Sequence, residues 1–182
     1  MLIIDIESRE LYNEETGEFV YTKSYKLQLE HSLISLQKWE AETGKRFLSK
    51  YTDKTDEEIM FYIKCMTINN VPDEVYGLLT EKDFIKINDY INKPMTATTF
   101  SDETRGYGGE SVENISAEII YYWMFQFGIN FECRKWHLNS LLSLIRVCNI
   151  KSQPGKKLNQ NEIYERNRKL NEERRKRLNS KG

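Results

Sequence analysis

The sequence predicts an α+β fold that is mainly α: a small N-terminal antiparallel sheet, then a helical bundle, then a basic C-terminal helical arm. Three observations carry this. Apolar and polar residues alternate up to about Glu30, apolar residues recur at helical spacing from Ser32, and the charge changes sign near Lys151. The expected body is residues 1–150, with the sheet in 1–31 and the bundle in 32–150, and the arm is 151–182.

In the first strand Leu2, Ile4 and Ile6 alternate with polar positions, as a half-buried strand requires. Leu11-Tyr12 and Phe19-Val20-Tyr21 flank Glu14 to Glu18, and Gly17 there can take the positive φ of a hairpin turn. Tyr25, Leu27 and Leu29 then share a side opposite Lys26, Gln28 and Glu30.

Helical spacing follows. Leu33, Leu36, Trp39 and Thr43 form a stripe that Gly44 ends as a left-handed C′ residue. Thr55-Asp56-Glu57-Glu58 has the Thr-x-x-Glu form of a capping box, with Ile59, Tyr62, Ile63 and Met66 as the buried face behind it. After the turn at Val71-Pro72-Asp73 comes a short segment, Glu74 to Leu79. Thr80 caps a further helix whose Phe84, Ile87 and Ile91 face inward, and Pro94 stops it. Pro94 to Asn114 reads as an exposed loop, rich in Ser and Thr and carrying Gly106, Gly108 and Gly109. It lacks the Gly-Lys-Ser/Thr or GxGxxG pattern that a phosphate cradle needs.

Glu118 to Cys148 is the most apolar stretch and predicts a buried αα-hairpin, with helices from about Ser116 to Phe127 and from about Glu132 to Asn149. Ile119, Ile120, Trp123 and Phe127 share one side of the first; Leu138, Leu141, Leu142, Ile145 and Cys148 share one side of the second. Gly128 to Phe131 is short enough to make the two antiparallel neighbours. Trp136 lies off the leucine face, where it either packs on another helix or anchors a partner. Beyond the break at Ser152 to Gly155, Asn159 to Asn179 predicts a solvated helix. Asn159 caps it, and Glu162–Arg166, Glu165–Lys169, Glu172–Lys176 and Glu173–Arg177 are acid-first pairs at i, i+4.

Composition narrows the function. The hydrophobic share of 39% supplies a core and the 30% charged residues a solvated surface. No apolar run reaches the roughly 18 residues of a spanning helix. The opening MLIIDIESRE meets an acid at Asp5 and does not read as a signal peptide, so a cytosolic location without membrane contact is expected. Cys65, Cys133 and Cys148 are widely spaced and read as reduced core thiols. Cys133 and His137 have helical ligand spacing, but no second close pair accompanies them, so no metal site is expected. His31 reads as a turn or capping residue and His137 as a satisfied core histidine; no catalytic residue and no cofactor are expected. The net charge of −1 hides a segregation, since Lys151 to Gly182 holds eleven Lys+Arg against four Asp+Glu. The cluster Arg174 to Arg177 raises nucleic-acid binding. Tyr164 is the arm's one aromatic residue for base stacking and the body is acidic, so a charged arm that docks on an acidic neighbour or stays free is favoured.

Two blocks carry a family resemblance: LEHSLISLQKWE at Leu29 to Glu40, and EIIYYWM with FECRKWHLNSLLSLIRVCN at Glu118 to Met124 and Phe131 to Asn149. With FYIKCM at Phe61 to Met66, DYINKPMTATTFSD at Asp89 to Asp102 and the ending NEERRKRLNSKG, the chain resembles the tail assembly chaperones of long-tailed bacteriophages. These are packing signatures, not a reaction motif. The resemblance implies a helical, non-enzymatic protein of the host cytoplasm, absent from the mature virion. Such a protein binds the aggregation-prone tape measure protein, with the tail tube protein as a further partner and self-association expected. Trp39, Trp136, Tyr164, Arg174, Arg175 and Arg177 are the candidate partner-binding residues. Two alternatives stay open: a structural component of the tail or connector, and a nucleic-acid-binding regulator acting through the arm.

Overall fold

The computed structural model describes residues 1–13, 17–49, 53–100 and 115–152, together with Tyr164, Asn167, Arg168, Asn171, Glu172 and Arg174. It has the predicted α+β class, mainly α. Two compact units divide it, Met1–Ile150 and Lys151–Gly182.

Strand β1 (Leu2–Ile6) pairs antiparallel with β4 (Tyr25–Leu29), and β2 (Glu10–Asn13) with β3 (Glu18–Tyr21). The two ladders keep one register, with Ile6 opposite Tyr25 and Glu10 opposite Tyr21, so together they make one long ribbon. Thr22 holds its interrupted middle: its N–H donates to the Arg9 carbonyl at 2.8 Å, and its Oγ1 accepts from the Arg9 N–H at 2.8 Å. Ile4, Ile6, Leu27 and Leu29 are buried on one face, as the alternation predicts. The outer edge of β4 is covered rather than free. Ile68 N–H donates to the Gln28 carbonyl, and the Asn69 amide both accepts from Gln28 N–H and donates to the Lys26 carbonyl.

The helices described in the body are α1 (Leu33–Thr43), α2 (Asp56–Met66), α3 (Glu74–Gly77), α4 (Glu81–Asn92), α5 (Ala117–Gln126) and α6 (Leu138–Ser152). Their ends follow local side-chain chemistry. Thr55 Oγ1 accepts from Glu58 N–H while the Glu58 carboxylate accepts from Thr55 N–H, the reciprocal box expected at α2. Ser32 and Ser35 form the same arrangement at α1. Asp83 holds α4 by accepting from both the N–H and the hydroxyl of Thr80. Gly44 ends α1 at φ +65° with its N–H on the Glu40 carbonyl. Gly128, at φ +62°, ends α5 in a Schellman turn: its N–H reaches the Phe125 carbonyl and that of Ile129 the Met124 carbonyl.

Helix α1 is the shared wall of two cores. Trp39 joins Ile4, Leu27, Leu29, Tyr62, Ile63, Met66, Val75 and Ile87 on one side; Leu33 and Leu36 join Ile115, Ile120, Trp123, Met124, Leu138, Leu141 and Ile145 on the other. Burying each such side chain is worth roughly 1.5 to 3 kcal/mol, which makes α1 the element on which both halves depend.

Three expectations change. The helix predicted from about Glu132 begins only at Leu138; Phe131–Lys135 is a 3-10 turn and Trp136 is extended. The break has a cause in the tertiary structure: Leu138 N–H donates to the His31 carbonyl at 2.7 Å, and His137 bridges to Ser32, so the helix start is fastened to the β4–α1 junction. Cys133 and His137 therefore do not share a helical face. The predicted αα-hairpin is also looser than expected, because α5 packs on α1, and Leu33 and Leu36 of α1 sit in the same core as α5 and α6. Ile59, assigned to the buried face of α2, is 41% exposed, since it borders an open cleft between α2 and α4. In the 94–114 loop, residues 101–114 lie outside the described residues, as do 14–16 of the hairpin turn. Of the arm, Tyr164, Asn167, Arg168, Asn171, Glu172 and Arg174 are helical, and Arg168 pairs with Glu172 at 3.2 Å. The Asn159 cap and the four acid-first pairs predicted there each involve residues outside the described set.

Candidate functional site

Two places concentrate chemistry: a buried junction around the histidines, and an exposed aromatic surface on α5 and the turn after it.

At the junction His31 and His137 lie with ring centroids 5.1 Å apart, edge to face. Both are buried. His31 Nδ1 lies 2.5 Å from the Tyr62 hydroxyl, and Tyr62 in turn stacks on Phe47 at 3.9 Å. His137 Nδ1 accepts from Asn139 N–H, which leaves Nε2 as the donor to the Tyr90 carbonyl at 3.0 Å. Every polar end of His137 is thus engaged in its neutral form. Burial, then the neighbouring His137, pushes the His31 pKa down to about 3, and burial also lowers that of His137. The junction continues through the start of α6, where Asn139 Nδ2 donates to the carbonyls of Ile91 and Lys93, and Ser140 Oγ to that of Met95. Those are the unpaired carbonyls at and after the end of α4. The segment His137 to Ser140 is therefore a clasp between two helix ends.

Glu40 is a second clasp. Its Oε2 accepts from Ala117 N–H at 2.7 Å, the first residue of α5, and its Oε1 from Phe47 N–H at 2.9 Å. Burial raises its pKa, and those two backbone bonds act the other way. Its job is to pin the loop after α1 and the start of α5 to one point. Among the described residues no group of His, Cys, Asp or Glu is placed to hold a metal ion, and Cys65, Cys133 and Cys148 form no disulfide. No helix among them is long and apolar enough to cross a membrane.

The surface lies elsewhere. Helix α5 buries Ile120, Trp123 and Met124 and turns Tyr122 (60% exposed) and Phe125 (88%) outward. The 3-10 turn adds Phe131 at 54%, and Trp136 follows at 49%. Tyr121 ties the two segments together: its ring stacks on Phe131 at 5.4 Å and its hydroxyl donates to Gln37 of α1. The Arg134 guanidinium covers Phe131 at 4.7 Å from the ring centroid. Aromatic rings held in place this way lose little freedom when another surface covers them.

The candidate partner-binding residues fare unequally. Trp39 is fully buried, donates its indole N–H to the Glu58 carbonyl and meets Phe47 edge to face, so it is a core anchor and cannot touch a partner. Its position on a helical stripe was the signal for that. Trp136 is at the surface, and Tyr164 is 72% exposed in the arm. Arg174 is helical and exposed, while Arg175 and Arg177 lie outside the described residues. Sequence reasoning missed Tyr122, Phe125 and Phe131 as surface residues and Glu40 and Asn139 as clasps. Comparisons with family models, with curated proteins and with solved structures found no match to this chain.

Proposed function

We propose that this chain is a tail assembly chaperone of a long-tailed bacteriophage, a non-enzymatic protein of the host cytoplasm that binds the tape measure protein and keeps it soluble until the tail tube forms. The observation that supports this beyond the resemblance is the exposure of Tyr122, Phe125, Phe131 and Trp136 on a well-packed body. Large aromatic side chains left at a surface are the residue types that anchor partners. A client with repeated apolar helical segments fits such a surface through its aliphatic faces. Modest affinity at each site suffices when many copies line one long client, which is also where self-association belongs in this reading. The arm, with its excess of basic residues, adds charge to that contact.

The test is co-expression with the tape measure protein of the same genome, reading soluble client and its co-purification on a tagged chain. Wild type should keep the client in solution; the double variant Tyr122→Ser/Phe125→Ser should fold and lose it. Client that is equally insoluble with and without the chain sinks the proposal. Purified particles carrying the protein at fixed copy number would identify a structural component instead.

A further inference from the structure

We propose that the cleft between α2 and α4 is a binding site for a small apolar carboxylate, an aliphatic or aromatic body ending in one negative charge. The cleft holds about 320 Å³. That lies at the lower end of the roughly 300 to 1,000 Å³ of small-molecule sites. Phe47, Ile59, Ile63, Phe84, Ile87 and Ile91 make its walls apolar. The stack of Phe47 on Tyr62, itself edge-on to Trp39, makes one side of it rigid.

Two polar groups at this cleft keep donor capacity among the described residues. Lys54 lines it with its ammonium 4.7 Å from the Phe47 ring centroid. It makes no ion pair among the described residues, because the nearby Glu58 carboxylate is taken by Lys45 at 2.6 Å and by Thr55 N–H. Burial lowers the Lys54 pKa, and the nearby Glu58 charge offsets this only in part. Asn88 also lines the cleft. Its Oδ1 accepts from Asn92 Nδ2 at 3.1 Å, which orients the amide and leaves its NH₂ without a hydrogen bond among the described residues. An ammonium and an amide NH₂ both donate and neither accepts, so the complementary group is an acceptor with negative charge. The apolar walls require the rest of the ligand to be hydrocarbon. The site is independent of the aromatic surface on α5.

Octanoate and octanamide, which differ in charge but not in chain, test this by amide and methyl NMR titration of the full chain. Octanoate should saturably shift the resonances of Lys54, Ile59, Ile63, Ile87 and Asn88, and octanamide should bind about three- to tenfold more weakly, as expected for one partly exposed charged contact. Lys54→Met, which keeps an apolar stem, should bring the two ligands to equal affinity. Asn88→Asp, which sets a negative charge in the cleft, should abolish octanoate binding while the fold, checked by circular dichroism, persists. Equal binding of acid and amide by the wild type would overturn the proposal. So would shifts that fail to saturate or that centre on Tyr122 and Phe125.

Discussion

Acid should destabilise this protein through His31, and the effect can be isolated by replacing that residue. In the folded chain His31 is buried beside His137 and stays neutral to about pH 3, whereas an unfolded histidine titrates near 6.5. Its folded pKa is the lower of the two, so the unfolded state takes up the proton first. The contribution is intact above pH 6.5 and is lost progressively as pH falls from 6.5 toward 3. At pH 5.0, 1.5 pH units below the unfolded value, the loss is about 2 kcal/mol at roughly 1.4 kcal/mol per unit; at pH 7.5 it is close to zero. His31→Phe keeps a ring against Phe47 and His137 and removes the titration. It costs about 1 to 2 kcal/mol at pH 7.5, because the Tyr62 hydroxyl loses its bond to His31, and pairing it with Tyr62→Phe recovers part of that. Urea unfolding at pH 7.5 and 5.0, at fixed ionic strength, measures the difference. Carboxylates and His137 contribute to both proteins, so wild type should lose about 2 kcal/mol more than the variant over this interval. Equal losses would refute the assignment of a buried, neutral His31.

Other outcomes follow from the clasps and the two tryptophans. Glu40→Ala leaves the N–H groups of Phe47 and Ala117 without their acceptor and should cost about 2 to 4 kcal/mol by urea unfolding, with Glu40→Gln falling between it and wild type. Asn139→Ala removes the donor to two carbonyls at the end of α4 and should cost about 1 to 2 kcal/mol, with faster amide exchange at the α6 start as its local signature. Trp39→Ala should cost about 3 to 5 kcal/mol, whereas Trp136→Ala should change stability by less than about 1 kcal/mol and be felt in client co-purification. Removing 159–182 should weaken client solubilisation and leave the melting of the body unchanged; a body that unfolds on truncation would show that the arm belongs to the fold.

What the sequence determined was local. Alternation at Leu2, Ile4 and Ile6, the Thr55–Glu58 box, the Gly44 stop and the leucine stripe of α6 each depend on residues a few positions apart, so spacing alone reports them. The strip IIYYWMF was ambiguous for the opposite reason: with apolar residues all round a helix, periodicity has no polar face to point away from. Helical spacing already put Ile120 and Trp123 on one side, and packing against α1 made that side the buried one and left Phe125 outward. Trp39 lies on a helical stripe and Trp136 off one, which points to a core anchor and a surface ring, but the neighbours that bury Trp39 come from α2 and the loop at Phe47. The late start of α6, the Glu40 bond to Ala117 and the meeting of His31 with His137 join residues far apart in the chain. Such contacts leave no periodic trace, because either partner alone is only a polar residue near an apolar one. Local hydrogen bonding and patterning decided where elements begin and end; the tertiary structure decided which faces are spent on the core and which remain for a partner.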